Sequence, residues 1–227
     1  MTLLDAVLER LDAIEPTLHS FVLDMRSSAM AQAEASAGRW AAGTALSAMD
    51  GIPIALKDIY DTEGAITAGG CFALRDRVPD ADAHTVHLLR EAGAVFVGKS
   101  YTVEFASGGL LNPQYRDEIT PNPWNLGYQP GGSSSGTASA VAGGQVTAGT
   151  GSCTGGSIRG PSAFCGLSGI KPTYGLCSKR GVLPLSKTLD HTGPMCRSVK
   201  DCAIFLDVMK GYDGKSKGNF ERWLLSR

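Results

Sequence analysis

Two glycine- and serine-rich stretches decide the fold of this chain: Gly131-Gly132-Ser133-Ser134-Ser135-Gly136, and residues 151–159, which read G-S-C-T-G-G-S-I-R. A flexible linker has a similar composition, but apolar residues such as Val141 and Phe164 are interspersed through the region. That pattern is typical of closely packed backbone. Because glycine has no side chain, the two stretches predict tight turns, each of which leads into a helix.

The flanking segments predict helices that alternate with short strands. Apolar residues at helical spacing predict a first helix that ends before Pro16, and an alanine-rich segment predicts a second helix. Asp82 is a candidate cap for a helix that Gly93 ends. The predicted helices cover about residues 3–15, 27–42, 82–92, 135–142 and 199–210, and the predicted strands cover 52–56, 94–97 and 146–148, with a long loop over 113–130 and a glycine-rich loop after residue 148. This succession predicts an α/β layered fold.

Length, charge and cysteine content exclude several classes of protein. The chain has 227 residues, so one domain with a sizeable core is the default. Its net charge of −1 and the lack of a basic stripe argue against direct nucleic-acid binding. Its six cysteines form no C-x-x-C pair, which is typical of reduced thiols in a cytoplasmic protein without a zinc site. Charged residues interrupt every long apolar run, so we expect neither a signal peptide nor a membrane span.

Three short motifs match known patterns but lack the structural context that those patterns need. Residues 93–100 fit the P-loop pattern, yet their middle residues predict a strand instead of a phosphate-binding turn. Ser134 is the centre of a G-x-S-x-G nucleophile elbow, but no hydrophobic strand precedes it and His191 is the one histidine downstream. Residues 168–171 fit S-x-x-K without the companion motifs of penicillin-binding proteins. None of the three predicts a function here.

Lys57 ends a predicted apolar strand and is the candidate base. A lone lysine at a strand end is usually solvated. Burial by its neighbours would instead disfavour the ammonium form and leave a neutral base near pH 7. The serines of the two glycine-rich turns are candidate nucleophiles, and the N–H groups around Gly155 and Gly156 are candidate oxyanion donors. Two alternatives for these turns remain open: a phosphate cradle, and closely packed loops in which serine caps a helix.

Long, ordered motifs of this sequence resemble the amidase signature family. Residues 131–136 and 155–166 are similar to its glycine- and serine-rich signature, and residues 51–58 are similar to its lysine motif. Further similar stretches lie at residues 93–100, 123–124, 169–175 and 189–194, so that the resemblance covers most of residues 3–212. It implies an α/β fold in which α-helices flank a mixed β-sheet core, and it implies neither a metal nor an organic cofactor.

The resemblance also implies a role for each candidate residue. Ser157 corresponds to the nucleophile, Ser133 to a bridging serine on a cis peptide bond, and Lys57 to the base. The implied oxyanion hole consists of the backbone N–H groups of Thr154, Gly155, Gly156 and Ser157. The implied reaction is hydrolysis of a small-molecule amide through an acyl-enzyme on Ser157.

The chain departs from the family pattern in two respects. Cys153 stands where the family commonly has an aspartate, so a weakly hydrogen-bonding thiol replaces an acid that braces the loop. The chain is also about half as long as the family's enzymes usually are. We therefore expect an amidase signature domain over residues 1–212 that is incomplete at its C-terminus, followed by a tail over 213–227 that has no clear periodicity and is a candidate for disorder.

Two alternatives to a free-standing amidase remain open. One is the amidase (glutaminase) subunit of a glutamyl- or aspartyl-tRNA amidotransferase, which works with partner subunits; a homodimer is the other expected assembly. The second is an inactive truncated relative that acts as a binding protein. Retention of Lys57, Ser133 and Ser157 together argues for an enzyme, whereas Cys153 and the short length argue for the inactive relative. The sequence does not predict which amide is the substrate.

Overall fold

The computed structural model describes residues 3–107 and 115–215. The described helices are α1 (Leu3–Leu18), α2 (Arg26–Ala41), α3 (His84–Glu91), α4 (Ser135–Ala142), α5 (Arg159–Phe164) and α6 (Val199–Met209). The described strands are β1 (Phe21–Asp24), β2 (Pro53–Lys57), β3 (Val95–Ser100), β4 (Ala148–Cys153), β5 (Ser168–Gly169) and β6 (His191–Cys196). Helices and strands alternate along much of the chain, which confirms the predicted α/β class.

The six strands form one mixed sheet in the order β1-β3-β2-β4-β6-β5. β2 is parallel to both of its neighbours, β3 and β4, whereas β1 is antiparallel to β3 and β6 is antiparallel to β4. Lys57 at the end of β2 pairs with Ser100, and Cys153 at the end of β4 pairs with His191 at the start of β6. The last residues of β2 and β4 and the first residue of β6 therefore meet at the same end of the sheet.

Helices cover both faces of the sheet. Side chains alternate along each strand, so neighbouring residues of a strand pack against the helices on opposite faces. Ile54 and Leu56 of β2 pack with residues of α3 and α6 in one core cluster. Ala55 packs with residues of α1 and α4 in a second cluster. Because successive side chains of a strand point to opposite faces, Lys57 lies on the same face as Ala55. That face is the one covered by α4.

Two helix boundaries differ from the prediction. α1 does not end before Pro16 but continues through it for two more residues. The φ that proline imposes is itself helical, and the ring costs one backbone hydrogen bond in the last turn of the helix. Asp82 does not cap α3, which begins at His84. Its carboxylate instead accepts a hydrogen bond from Arg90 Nε at 2.7 Å. This ion pair engages the oxygens that would otherwise cap the helix.

The strand predicted at residues 146–148 is displaced towards the C-terminus. β4 runs through the residues that the composition predicts as a glycine-rich loop. Small residues are required there, since a Cβ at Gly149 would overlap Thr137 and a Cβ at Gly151 would overlap Met195. The S-x-x-K residues 168–171, which the sequence favours as the start of a strand, contain β5. The sequence does not predict β1 or β6; β6 contains both a glycine and a proline, which are depleted in strands.

None of the described helices has the length and apolar character needed to cross a membrane. Of the predicted tail over 213–227, residues 213–215 are described and residues 216–227 lie outside the described residues.

Candidate active site

Lys57, the last residue of β2, is fully buried, with 0% of its surface exposed. Its Nζ donates hydrogen bonds to the hydroxyls of Ser133 at 2.8 Å, Ser134 at 2.9 Å and Ser152 at 2.8 Å. Its backbone N–H donates to Thr150 Oγ1 at 2.8 Å. Within the described ranges, Lys57 forms no ion pair. The amine is therefore enclosed by neutral hydroxyl groups.

Burial lowers the pKa of Lys57 from 10.5 to about 7, because the ammonium form loses its hydration in the protein interior. The negative charges of Cys153 and Asp190, when these groups are ionised, act in the opposite direction. The neutral amine is consequently well populated near neutral pH. A general base needs this state in order to accept a proton.

Ser133 and Ser134 reach Lys57 from the turn that precedes α4. The peptide bond between Gly132 and Ser133 is cis, which is the geometry that the family resemblance implies for this serine. The carbonyl oxygen of Ser133 accepts a hydrogen bond from Val103 N at 3.2 Å. Both serines are almost completely buried, so their hydroxyls meet Lys57 away from bulk water.

Ser152 reaches Lys57 from β4, and it is not among the predicted site residues. Thr150, Ser152 and Thr154 alternate along this segment, so their side chains share one face. This two-residue spacing of hydroxyl side chains is the sequence signal for the site. The intervening glycines obscure it, because they make the segment resemble a loop.

Ser157 lies on the loop between β4 and α5 and is half-buried. Its side chain forms no hydrogen bond with any residue in the ranges 3–107 and 115–215. The structure thus brings Lys57 and Ser133 together, but no hydrogen bond joins Ser157 to them. The backbone N–H groups of Gly155, Gly156 and Ser157 likewise donate to no acceptor within these ranges, and a Cβ at either glycine would meet nothing within 4 Å. These donors are available to a ligand.

The start of the same loop is braced by a carboxylate. Thr154 Oγ1 donates to Asp190 Oδ1 at 2.5 Å. Asp190 Oδ2 accepts from the N–H groups of Leu185 and Ser186, both at 2.9 Å. The sequence assigns Asp190 no role of its own; it lies within the family-like stretch 189–194. Its contact with Thr154 instead connects the loop after β4 to the segment before β6.

The Cys153 side chain takes no part in this bracing. It is fully buried and packs in an apolar cluster with Ile158 and Met195. Its carbonyl oxygen lies 3.2 Å from His191 Nδ1. The loop is therefore held by its backbone and by Thr154, and not by the residue at the position where the family commonly has an aspartate.

A pocket of about 190 Å³ lies beside these groups. Ser152 and Thr154 line one side, residues 182–187 line another, and Asp190 also contributes to the lining. A pocket of this size can hold a small organic group next to the hydroxyls around Lys57. Among the described residues, no group of three or more His, Cys, Asp or Glu side chains is arranged to hold a metal ion.

Another buried lysine, Lys99, belongs to the residues that fit the P-loop pattern. Those residues form β3, as predicted, and not a phosphate-binding turn. Lys99 Nζ donates to Tyr60 O at 2.7 Å and to Thr67 Oγ1 at 2.6 Å, and it lies 3.5 Å from Asp58 Oδ1. Burial lowers the pKa of Lys99 to about 8. Since Lys99 pairs with Leu56 in the sheet, it lies on the opposite face from Lys57.

Comparison with known proteins finds relatives along nearly the whole chain. The family model described as Amidase matches residues 2–221. A glutamyl-tRNA(Gln) amidotransferase subunit from Syntrophus aciditrophicus is 46% identical over 211 residues, which is 93% of this chain and 43% of that protein. The solved structure of the native peptide amidase from Stenotrophomonas maltophilia is 35% identical, with a TM-score of 0.86, over 95% of this chain and 46% of that chain.

A further solved structure, described as a vestigial protein complex that reveals the origins of an s-triazine catabolic enzyme, is 38% identical with a TM-score of 0.90. The match covers 95% of this chain and 47% of that chain. The likeness to these structures confirms the predicted fold, with a mixed sheet flanked by helices. The chain spans less than half the length of the relatives that it matches.

Proposed function

The chain belongs to the amidase family, and on this premise we propose that it hydrolyses amide bonds through an acyl-enzyme on Ser157, with Ser133 as proton relay and Lys57 as base. One observation carries the proposal: the Nζ of a fully buried lysine lies 2.8 Å from Ser133 Oγ. Burial lowers the pKa of this lysine to about 7. A desolvated amine next to a hydroxyl is the arrangement that activates a serine without a histidine.

The three hydroxyls around Lys57 match the hydrogen-bonding capacity of a neutral amine. A neutral amine has two N–H donors and one lone pair. The ammonium form donates to all three hydroxyls. In the neutral form, Ser134 and Ser152 accept the two remaining donors, and the bond to Ser133 reverses, so that the Ser133 hydroxyl donates its proton to the lone pair. Ser133 then accepts the proton of Ser157 as it gives its own to Lys57. Ser134 and Ser152 thus orient the base in this mechanism.

The proposed reaction has two stages. Ser157 Oγ bonds to the amide carbonyl carbon while its proton passes through Ser133 to Lys57. Negative charge develops on the carbonyl oxygen, where the N–H groups of residues 154–157 stabilise it; each such donor contributes about 3 kcal/mol. The proton returns by the same relay to the amide nitrogen, and the C–N bond breaks. Water then attacks the acyl-enzyme, gives its proton to the relay, and releases the carboxylic acid.

The names of the relatives favour a second candidate function. Several are subunits of glutamyl-tRNA(Gln) amidotransferases, and a protein of this kind would release ammonia from glutamine and pass it to its partner subunits. The chemistry at Lys57 and the serines is the same for both candidates. They differ in substrate, so ammonia release from glutamine, compared with release from simple amides and repeated with the partner subunits present, separates them.

Labelling with a fluorophosphonate probe tests the proposed nucleophile. The probe phosphonylates an activated serine and loses fluoride, so each label adds a defined mass. We expect one label per chain, located on Ser157 by peptide mass spectrometry, and no label in Ser157→Ala. Ser27→Ala, at an exposed position in α2, is the matched control and should be labelled like the wild type.

The same experiment has outcomes that contradict the proposal. Label on Ser134 would support the nucleophile elbow instead. A folded protein that takes no label would favour the inactive relative. Lys57→Ala should slow labelling by about 100-fold or more, the usual contribution of a general base, and an unchanged rate would exclude Lys57 from that role.

A further inference from the structure

Asp190 connects two walls of the pocket through a single carboxylate. It lies just beyond the last paired position of β4 and β6, opposite Thr154. One oxygen accepts from Thr154 Oγ1 at 2.5 Å, and the other accepts from the N–H groups of Leu185 and Ser186 at 2.9 Å. The loop that carries the proposed oxyanion donors and the segment before β6 are therefore held by the same group.

The same carboxylate acts on the protonation of Lys57. Its charge favours the ammonium form and so opposes the effect of burial on the pKa of Lys57. Because Lys57 Nζ contacts neutral hydroxyls only, a carboxylate adds an attraction for the ammonium form that the contacting groups do not supply. An amine without this influence would be a weaker base, since basicity falls with pKa.

Among the described residues, no other titratable group near Lys57 also hydrogen-bonds the Thr154 side chain. The turn before α4 presents serine hydroxyls to it, and β4 presents Ser152 and the thiol of Cys153, which also acts on its pKa. The Tyr60 hydroxyl donates to Gly151 O at 2.6 Å. The Asp58–Lys99 pair lies on the opposite face of the sheet. Among the described residues, the charged or titratable groups that line the pocket with Asp190 are Lys179, Lys187 and His191.

We propose that Asp190 is a positioning residue for amide hydrolysis at this site: it fixes the oxyanion loop through Thr154, and its charge contributes to the basicity of Lys57. The inference rests on the proposed function, because it assigns Asp190 to that reaction. Asp190 does not touch the reacting atoms in this role. It acts through Thr154 and Lys57.

The charge of Asp190 is tested by a titration that does not depend on turnover. NMR of lysine labelled with ¹³C at Cε reports the titration of Lys57, whose signal is the one lost in Lys57→Met. We expect a midpoint of about 7 in the wild type and a lower midpoint in Asp190→Asn, because the carboxylate no longer favours the ammonium form. The signal of Lys99 is the internal control and should not move.

The positioning part is tested with a matched pair at Thr154. Thr154→Val removes the hydroxyl that Asp190 binds and leaves all charges in place, whereas Thr154→Ser keeps the hydroxyl. Fluorophosphonate labelling should slow at least tenfold in Thr154→Val and recover in Thr154→Ser, with the Lys57 midpoint unchanged in both. In Asp190→Asn, labelling should slow and its acidic limb should move to lower pH together with the Lys57 midpoint.

Each outcome decides between alternatives. An unchanged Lys57 midpoint in folded Asp190→Asn, or a Thr154→Val variant labelled at the wild-type rate, would overturn the proposal. If Asp190→Asn does not fold, Thr154→Val and Thr154→Ser still test the proposal. If Lys57 of the wild type titrates near 7 but the protein takes no label, the proposed function is contradicted. The NMR shift caused by Asp190→Asn does not depend on labelling, so it still tests the effect of the Asp190 charge.

Discussion

Lys57 couples the protonation of the candidate site to the stability of the fold. Burial lowers its pKa from 10.5 to about 7. Between pH 7 and 10.5 the unfolded chain therefore binds a proton that the folded protein does not, so the free energy of unfolding rises with pH across this window. Below pH 7, Lys57 is protonated in both the folded and the unfolded state, so burial of the ammonium charge lowers the free energy of unfolding by its full amount.

We expect Lys57→Met to stabilise the protein relative to wild type most strongly at pH 6, because the substitution removes this cost. The difference should shrink by about 1.4 kcal/mol for each pH unit above 7, the energy of one pKa unit. Urea unfolding at pH 6, 8 and 9.5 measures it. Lys200→Met, at an exposed position in α6, is the control and should show no such trend. A pH-independent difference between Lys57→Met and wild type would contradict a depressed lysine pKa.

Individual site residues are predictable to different extents. The motif resemblance indicates Lys57 and Ser133, and their side chains are hydrogen-bonded. The roles of these residues and of Ser157 stay predictions. Ser152 could be predicted from the sequence, because hydroxyl side chains alternate along its segment. Asp190 is not, because its contact with Thr154 depends on the pairing of strands that local sequence does not encode.

At the scale of secondary structure, the prediction succeeds where local composition decides the conformation. The alanine-rich segment forms α2, and the predicted helix at 135–142 coincides with α4. The prediction fails where a strand forms because it pairs with adjacent strands, although its own sequence has low strand propensity. β4 consists mostly of small residues, with Thr150 as its one β-branched residue, and it is formed by pairing with β2 and β6 on either side.

Two helical glycines in opposite environments test how α4 is packed. A Cβ at Gly136 in α4 would overlap backbone atoms of Ser20 and Tyr101, whereas a Cβ at Gly38 in α2 would meet nothing within 4 Å. We expect Gly136→Ala to destabilise the protein by about 1–3 kcal/mol through overpacking. Gly38→Ala should stabilise it by about 0.5–1 kcal/mol through helix propensity. Urea unfolding gives both values, and a stable Gly136→Ala variant would show that α4 does not approach the segments around Ser20 and Tyr101 so closely.

At the scale of the whole molecule, strand order and direction assemble the site. β2 and β4 are parallel neighbours and end at Lys57 and Cys153, while β6 is antiparallel and begins at His191 beside Cys153. Side chains from all three strands or their adjoining residues therefore meet at one end of the sheet. Ligands of α/β sheets commonly bind outside the carboxyl ends of the strands. Predicting this arrangement requires the order β2-β4-β6, which no local pattern provides.

The segment after α6 is fastened to the body of the molecule. Gly211 N donates to Leu176 O at 3.1 Å, and Ser178 Oγ donates to the buried carboxylate of Asp213. The carbonyl oxygen of Ser178 accepts from Thr85 Oγ1 of α3 at 3.1 Å. The contact between Ser178 and Asp213 crosses the predicted boundary between residues 212 and 213. We propose that the folded domain includes Asp213.

A chain that ends at residue 212 should consequently be less stable than one that ends at residue 215, by about 1–3 kcal/mol, because the buried Ser178 hydroxyl loses its carboxylate acceptor. Urea unfolding of both chains measures the difference. Ser178→Ala is the decisive companion substitution. In the longer chain it leaves the Asp213 carboxylate without this donor, whereas in the shorter chain only the bond that Ser178 Oγ accepts from Arg180 N is lost. The substitution should therefore destabilise the longer chain more than the shorter one. Equal stability of the two chains would instead return the boundary to residue 212.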